Sequence, residues 1–297
     1  MKKLLVILVF AFTSSISSQA IPTEVKKTVA FIYKQHSAQY KDSLVPQGTG
    51  FFVGVEDTLR NQERTHVYFV TAKHVLKENE NFLENIYIRM NTRDSLSETR
   101  ILNMNYNGIY KNVFTHRDST VDIAVIPVAP DPSTFDYMML PENYLTDRQS
   151  FKKLHISEGS DVFFTGMFTS YLGKKRNYPI VRFGRVALIT DEKIPWDDEE
   201  ETELYLIESS TFGGNSGSPV FFYLGAERGS GGIVIGRPEI KLAGIMKGYF
   251  GENTPLRIIE TARIPGSNRN LGIAAVVPAY LLREILFGSE LAEKRKL

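Results

Sequence analysis

Residues 209–220 read Ser-Ser-Thr-Phe-Gly-Gly-Asn-Ser-Gly-Ser-Pro-Val, and no other stretch of the chain restricts its fold so tightly. Gly213, Gly214 and Gly217 crowd around Ser216, and Pro219 leads into the apolar run Val220, Phe221, Phe222. Glycine reaches backbone conformations closed to other residues, so the pattern predicts a tight turn that exposes one hydroxyl and then re-enters a buried strand. Such a turn aims two backbone N–H groups at a carbonyl under attack by the serine. Gly214 has no Cβ to obstruct that approach, and the N–H groups of Gly214 and Ser216 are the pair an oxyanion hole needs. Serine alone is a weak nucleophile, so the chain has to supply a base and a group that orients it.

One stretch offers each. Residues 67–75, Val-Tyr-Phe-Val-Thr-Ala-Lys-His-Val, form a strand-like run that ends in small residues and His74. Residues 121–126, Val-Asp-Ile-Ala-Val-Ile, open a run apolar enough for full burial on a lone carboxylate, Asp122. A carboxylate at the mouth of a buried strand is costly unless hydrogen-bonded, and an imidazole N–H is a suitable donor. With these three segments in this order, the chain resembles the chymotrypsin-like serine proteases, most closely their HtrA/Deg and bacterial glutamyl-endopeptidase branches. The resemblance implies His74 as general base, Asp122 as its orienter and Ser216 as nucleophile, with no cofactor and no metal. An α/β-hydrolase is the rival for a serine between glycines. Its elbow reads Gly-x-Ser-x-Gly, whereas Ser218 holds the last position here, and its triad runs Ser, Asp, His rather than His, Asp, Ser.

The 297 residues carry a net charge of +1, which gives no electrostatic case for a nucleic-acid partner. The start of the chain has a signal-peptide pattern: Lys2 and Lys3, an apolar run from Leu4 to Phe12, then a polar segment ending Ser18-Gln19-Ala20. The apolar run is far shorter than the roughly 20 residues a membrane span needs, so no stable span is expected once residues 1–20 are removed. A secreted or periplasmic location follows as the expectation. The sequence contains no cysteine, so export brings no disulfides and stability has to come from the core.

Many short strand-like runs separated by polar turns, with little helical periodicity, argue for an all-β barrel or sandwich. The resemblance narrows this to two six-stranded antiparallel β-barrels with a C-terminal helix. The first barrel is expected over residues 21–128, beginning with a strand at 25–33 and carrying His74 and Asp122. A proline-rich and polar crossover is expected over 129–159, a second barrel carrying Ser216 over 160–278, and a helix over 279–297 with Leu281, Leu282, Ile285 and Leu286 on one face. The acidic run at 196–201 reads as a solvated loop. His36, His66, His116 and His155 show no metal-ligand spacing. Asn215, where trypsin-type activation needs an aspartate, carries no charge to pair with a new N-terminus at Ile21.

The resemblance places Ser210, six residues before the nucleophile, at the base of a specificity pocket with Thr211 beside it. Residues 243–248, Ala-Gly-Ile-Met-Lys-Gly, are the strand along which a substrate backbone would pair. A pocket base without a carboxylate disfavours lysine and arginine. Ile245 and Met246 are read as an apolar wall and Lys247 as solvent-facing, although a one-residue change of register would turn Lys247 inward and favour acidic substrates. The sum is a serine endopeptidase acting on protein or peptide substrates. The alternatives are a non-catalytic descendant that binds a peptide or protein, and a protease that processes only itself; the sequence leaves the oligomeric state open. The N-terminal reading is tested by the intact mass of exported protein, which is expected to begin at Ile21; a mature species that keeps residues 1–12 would show an anchor instead.

Overall fold

In the computed structural model, strands form where the sequence alternates or runs apolar, and they build two β units joined by one apolar cluster. The structure describes residues 21–35, 43–57, 64–79, 81–106, 110–197, 200–225, 227–228, 232–233, 238–253, 257–259, 262–264 and 268–296. The segment read as a signal peptide and His36 lie outside them.

The N-terminal unit contains β1 (Val29–Gln35), β2 (Leu44–Glu56), β3 (Thr65–Thr71), β4 (Asn85–Asn91), β5 (Ser97–Asn103), β6 (Phe114–Thr115), β7 (Ala124–Pro127) and β8 (Leu140–Pro141). Their order across the sheet is β6-β7-β3-β2-β1-β4-β5, with β8 added to β2. β4 alternates strictly: Ile86, Ile88 and Met90 are buried, while Tyr87, Arg89 and Asn91 lie on the outer face. By contrast, β2 is continuously buried from Gly48 through Val55, as expected of a strand covered on both faces.

The C-terminal unit is a closed barrel. It consists of β9 (Asp161–Gly166), β10 (Ile180–Leu188), β13 (Tyr205–Glu208), β14 (Pro219–Leu224), β15 (Glu239–Asn253) and β16 (Asn268–Pro278), in the order β9-β10-β13-β16-β15-β14. Between β10 and β13 the chain makes a separate hairpin, β11 (Ile194–Asp197) with β12 (Glu200–Thr202). The crossover holds one short helix, α1 (Ser150–Lys153), and the chain closes with α2 (Ala279–Leu286) and α3 (Ser289–Lys296).

The all-β architecture and the six-stranded second barrel are as expected, and four details differ. The N-terminal sheet has eight strands and does not close among the described residues: β6 is only two residues long, and residues 105–106 and 110–111 pair with each other instead of extending it. β8 joins β2 in parallel, so the sheet is not wholly antiparallel. Residues 25–28, expected in the first strand, belong to a 3-10 turn (Thr23–Thr28). The closing helix is broken at Gly288, where a Cβ would lie 2.8 Å from the Glu284 carbonyl oxygen.

The apolar face of α2 carries Leu281, Leu282, Ile285 and Leu286, all buried. Their cluster runs from the N-terminal sheet into the barrel, and includes Phe52, Phe69, Phe163, Phe221 and Leu242. The Phe163 and Phe221 rings stack at 5.0 Å between centroids, and both side chains are fully buried. Phe221→Ala removes that ring and leaves a cavity, so urea unfolding is expected to show a loss of about 3–5 kcal/mol. A loss below about 1 kcal/mol would mean that the joint between the two units closes over the gap.

Candidate active site

The register between β3 and β7 brings the first two candidate residues together. Thr71 lies opposite Ala124, so the residues just after β3 and just before β7 emerge at the same end of the sheet. A single 3-10 turn (Lys73–Leu76) follows β3, anchored by the buried Val75 and Leu76, and presents His74. Asp122, 3% exposed, receives the His74 backbone N–H on Oδ1 at 2.9 Å and contacts the His74 ring Nδ1 through Oδ2 at 2.6 Å. The imidazole itself is about half exposed, with its Nδ1 held by the carboxylate.

Ser216 sits in the turn between β13 and β14. Gly214 and Gly217 adopt φ of +91° and +82°, conformations that favour glycine. A Cβ on Gly217 would also meet the Thr49 carbonyl oxygen at 2.1 Å. Asn215 turns inward: its amide donates to the Met167 carbonyl at 2.8 Å and its Oδ1 accepts the Phe212 N–H at 2.9 Å. Thr49 ties the same turn to β2. Its N–H donates to the Ser216 carbonyl (2.9 Å), its hydroxyl donates to the Gly214 carbonyl (2.8 Å), and that hydroxyl accepts the Met167 N–H (2.9 Å). The N–H groups of Gly214 and Ser216 have no hydrogen-bond partner among the described residues.

Sequence reasoning missed the role of Thr49, although the Gly-Thr-Gly triplet in a buried strand was a visible signal: flanking glycines clear space for a neighbouring backbone. A Cβ on Gly48 would lie 2.9 Å from the Ser216 carbonyl oxygen.

Lys247 does not face solvent as expected of a strand lysine: it is 8% exposed, and its Nζ lies 3.7 Å from Asp122 Oδ2 and 5.2 Å from the centre of the Trp196 ring. Ile245 belongs to the cluster shared with the N-terminal sheet and Met246 to the barrel's own cluster, so alternation returns Lys247 to the side of Ile245, which the other unit covers. A β-bulge follows at once: Met246 pairs with Val276 and Gly248 with Ala275, leaving Lys247 as the extra residue. The Lys247 carbonyl accepts the Ser216 hydroxyl at 3.2 Å, so this hydroxyl is bonded to β15 rather than to the His74 ring. Trp196, expected in a solvated loop, belongs to the β11–β12 hairpin and packs against Phe250 at 5.1 Å.

The pocket residues are less simply arranged. Ser210 is exposed, and Thr211 is buried with its hydroxyl unpartnered. The Thr211 carbonyl accepts the Asn270 amide, which fixes this segment to β16. Ile245 and Met246 are fully buried in two different core clusters and present no surface to solvent, so they do not form the expected wall together. No group of three or more His, Cys, Asp or Glu side chains suited to a metal occurs among the described residues. Nor is any described helix long and apolar enough to cross a membrane.

A closed β-barrel beside a second β unit, with a glycine-flanked serine near a His–Asp pair, is the arrangement of a chymotrypsin-like protein. Residues 48–226 match the trypsin-like peptidase domain family, and the chain belongs to that family. The chain is similar in structure to the apo MamO protease domain from Magnetospirillum magneticum, at 14% identity and a TM-score of 0.49, over 88% of this chain and 97% of that one. It is also similar to Deg5, at 15% identity and a TM-score of 0.41, over 75% of this chain and 80% of that one. No curated protein matches the sequence.

Burial pushes the Asp122 carboxyl up, but the hydrogen bond and charge of His74 and the charge of Lys247 outweigh it, leaving the group at about 2 instead of 3.8. A carboxyl depressed on folding stabilises the fold above its unfolded value, and that contribution is lost as pH falls through the folded one. The urea stability of wild type relative to Asp122→Asn is therefore expected to shrink, by on the order of 2 kcal/mol, as pH drops from about 4 to about 2. A difference that stays constant across this window would show that Asp122 gains nothing from its partners.

Proposed function

We propose that the chain is a serine endopeptidase that cuts protein or peptide substrates through Ser216, His74 and Asp122. The observation that carries this reading is the His74–Asp122 contact at 2.6 Å, which leaves the other ring nitrogen free to take a proton. The Ser216 hydroxyl turns from the Lys247 carbonyl toward His74 and attacks the peptide carbonyl as its proton passes to the imidazole. The unpaired N–H groups of Gly214 and Ser216 stabilise the oxyanion, and His74 returns the proton to the leaving amine. Water then releases the acyl group by the same route. No carboxylate stands at Ser210 or Thr211, so substrates with lysine or arginine before the scissile bond are poorly served. The enzyme works after export and removal of residues 1–20, in the periplasm or outside the cell.

One observation favours a second reading, a non-catalytic peptide-binding descendant. The Ser216 hydroxyl is bonded away from His74, and a lysine shares the carboxylate that orients the base. A fluorophosphonate probe separates the two. An active site labels Ser216, Ser216→Ala abolishes labelling, and Ser216→Ala, His74→Ala and Asp122→Ala each lower kcat by about 10⁴-fold with strong non-additivity. A folded wild-type chain that neither labels nor hydrolyses a mixed peptide library would establish the binding role instead.

A further inference from the structure

The loop that links β9 to β10 lies against the nucleophile turn at one end and against the other β unit at the far end. At the near end the contacts are those of Met167 with Asn215 and Thr49, together with Thr169. The Thr169 hydroxyl reaches the Gly213 carbonyl at 3.4 Å, and its methyl fills the space where a Gly214 Cβ would stand, 2.8 Å away.

At the far end, the outer face of the N-terminal sheet holds the loop backbone. The Arg89 guanidinium donates to three successive carbonyls, those of Leu172 (3.4 Å), Gly173 (2.9 Å) and Lys174 (3.2 Å). Its Nε donates to Ser97 Oγ at 2.8 Å, and that hydroxyl donates to the Lys175 carbonyl at 2.9 Å. Asn91 and Asn177 complete the contact: the Asn177 N–H reaches Asn91 Oδ1 (2.7 Å), the Asn91 amide reaches the Asn177 carbonyl (3.1 Å), and the Asn177 amide reaches the Arg89 carbonyl (2.7 Å). Leu172 and Met167 join Phe31, Tyr33 and Tyr87 in one apolar cluster on the same face. Gly173, at φ +79°, allows the bend, since a Cβ there would lie 2.1 Å from the Arg176 carbonyl oxygen.

A fixed planar fork of donors suits this task, because one guanidinium satisfies several carbonyls that would otherwise call for water or a strand partner. It directs these donors to backbone rather than to an acidic side chain. We propose that Arg89, with Asn91 and Ser97, is a positioning device for the oxyanion turn: it fixes the loop over residues 172–177, and the fixed loop in turn holds Gly213, Gly214 and Asn215 in place. The N-terminal sheet thereby supplies both the His74–Asp122 pair and, through this loop, the rigidity of the turn on the opposite unit. The catalytic consequence rests on the endopeptidase reading above, and the structural one does not.

Hydrogen–deuterium exchange on the full mature chain tests the inference without any need for activity. In Arg89→Ala, amides of residues 166–178 and 210–218 are expected to exchange at least about ten-fold faster, while those of β3 stay as in wild type. In the active enzyme the same variant is expected to lower kcat by about 10- to 100-fold with KM within about two-fold, because the loss falls on the transition state. Guanidinium ion added at millimolar concentration is expected to restore part of kcat, and Arg89→Lys to retain part of it, neither of which a general loss of folding would produce. Wild-type exchange in both segments, or faster exchange confined to residues 166–178, would overturn the proposal. If Arg89→Ala does not fold, Ser97→Ala removes one arm of the clamp and is read the same way, with unchanged exchange again overturning it. A wild-type chain that hydrolyses nothing would overturn the endopeptidase reading and leave the exchange result to decide this one.

Discussion

The site depends on a buried carboxylate that has enough partners to remain ionised. Asp122 sits at the mouth of a buried strand, where an unpaired charge would cost several kcal/mol. Two groups from the segment after β3 reach it, the His74 N–H and the His74 ring, and a third comes from the other β unit as the Lys247 ammonium. The same contacts that stabilise the charge fix the ring orientation of His74, so the local energetics and the site geometry are one problem with one solution. Trp196 closes over Lys247 from a separate hairpin, and its ring face is a favourable neighbour for an ammonium withdrawn from water.

The second constraint is that the serine turn is not self-supporting. Its glycines permit the backbone path, but the path is selected by residues outside the turn. Thr49 bonds to it from β2, Met167 and Thr169 from the loop after β9, and Met246 from β15, whose carbonyl accepts the Gly217 N–H at 2.8 Å. Three of these supports lie in the barrel unit and one in the N-terminal sheet. The relative placement of the two units and the shape of the turn are therefore coupled, and the continuous apolar cluster beneath them, with Phe163 stacked on Phe221, holds that placement.

Much of this was legible in the chain because its signals are local. The glycine pattern around Ser216 carries its own conformational requirement, and positive φ is found at Gly214 and Gly217. Apolar runs marked β3, β7 and β14, and the spacing of Leu281, Leu282, Ile285 and Leu286 marked the buried face of α2. The expected closure of the first barrel was not met among the described residues, because closure is a matter of whether two distant edges find each other, and β6 is two residues long. Similarly, the break at Gly288 turned one expected helix into two.

By itself, the sequence determined where the candidate residues stand: a serine in a glycine-built turn, a histidine after a strand and an aspartate before one, each recognisable from its immediate neighbours. What only the tertiary structure decided was where the ambiguous side chains point. Lys247 faces Asp122 instead of solvent because the side of β15 that carries Ile245 is covered by the N-terminal unit, and which face of a strand is covered is settled only when the two units meet. Ile245 and Met246 go into two separate cores for the same reason that strands have two faces. Arg89 meets three carbonyls 83 to 85 residues further along because the sheet's outer face and the loop after β9 come together only on folding. Short-range steric preferences are written along the chain, whereas contacts between distant segments exist only once the whole core has fixed their distance.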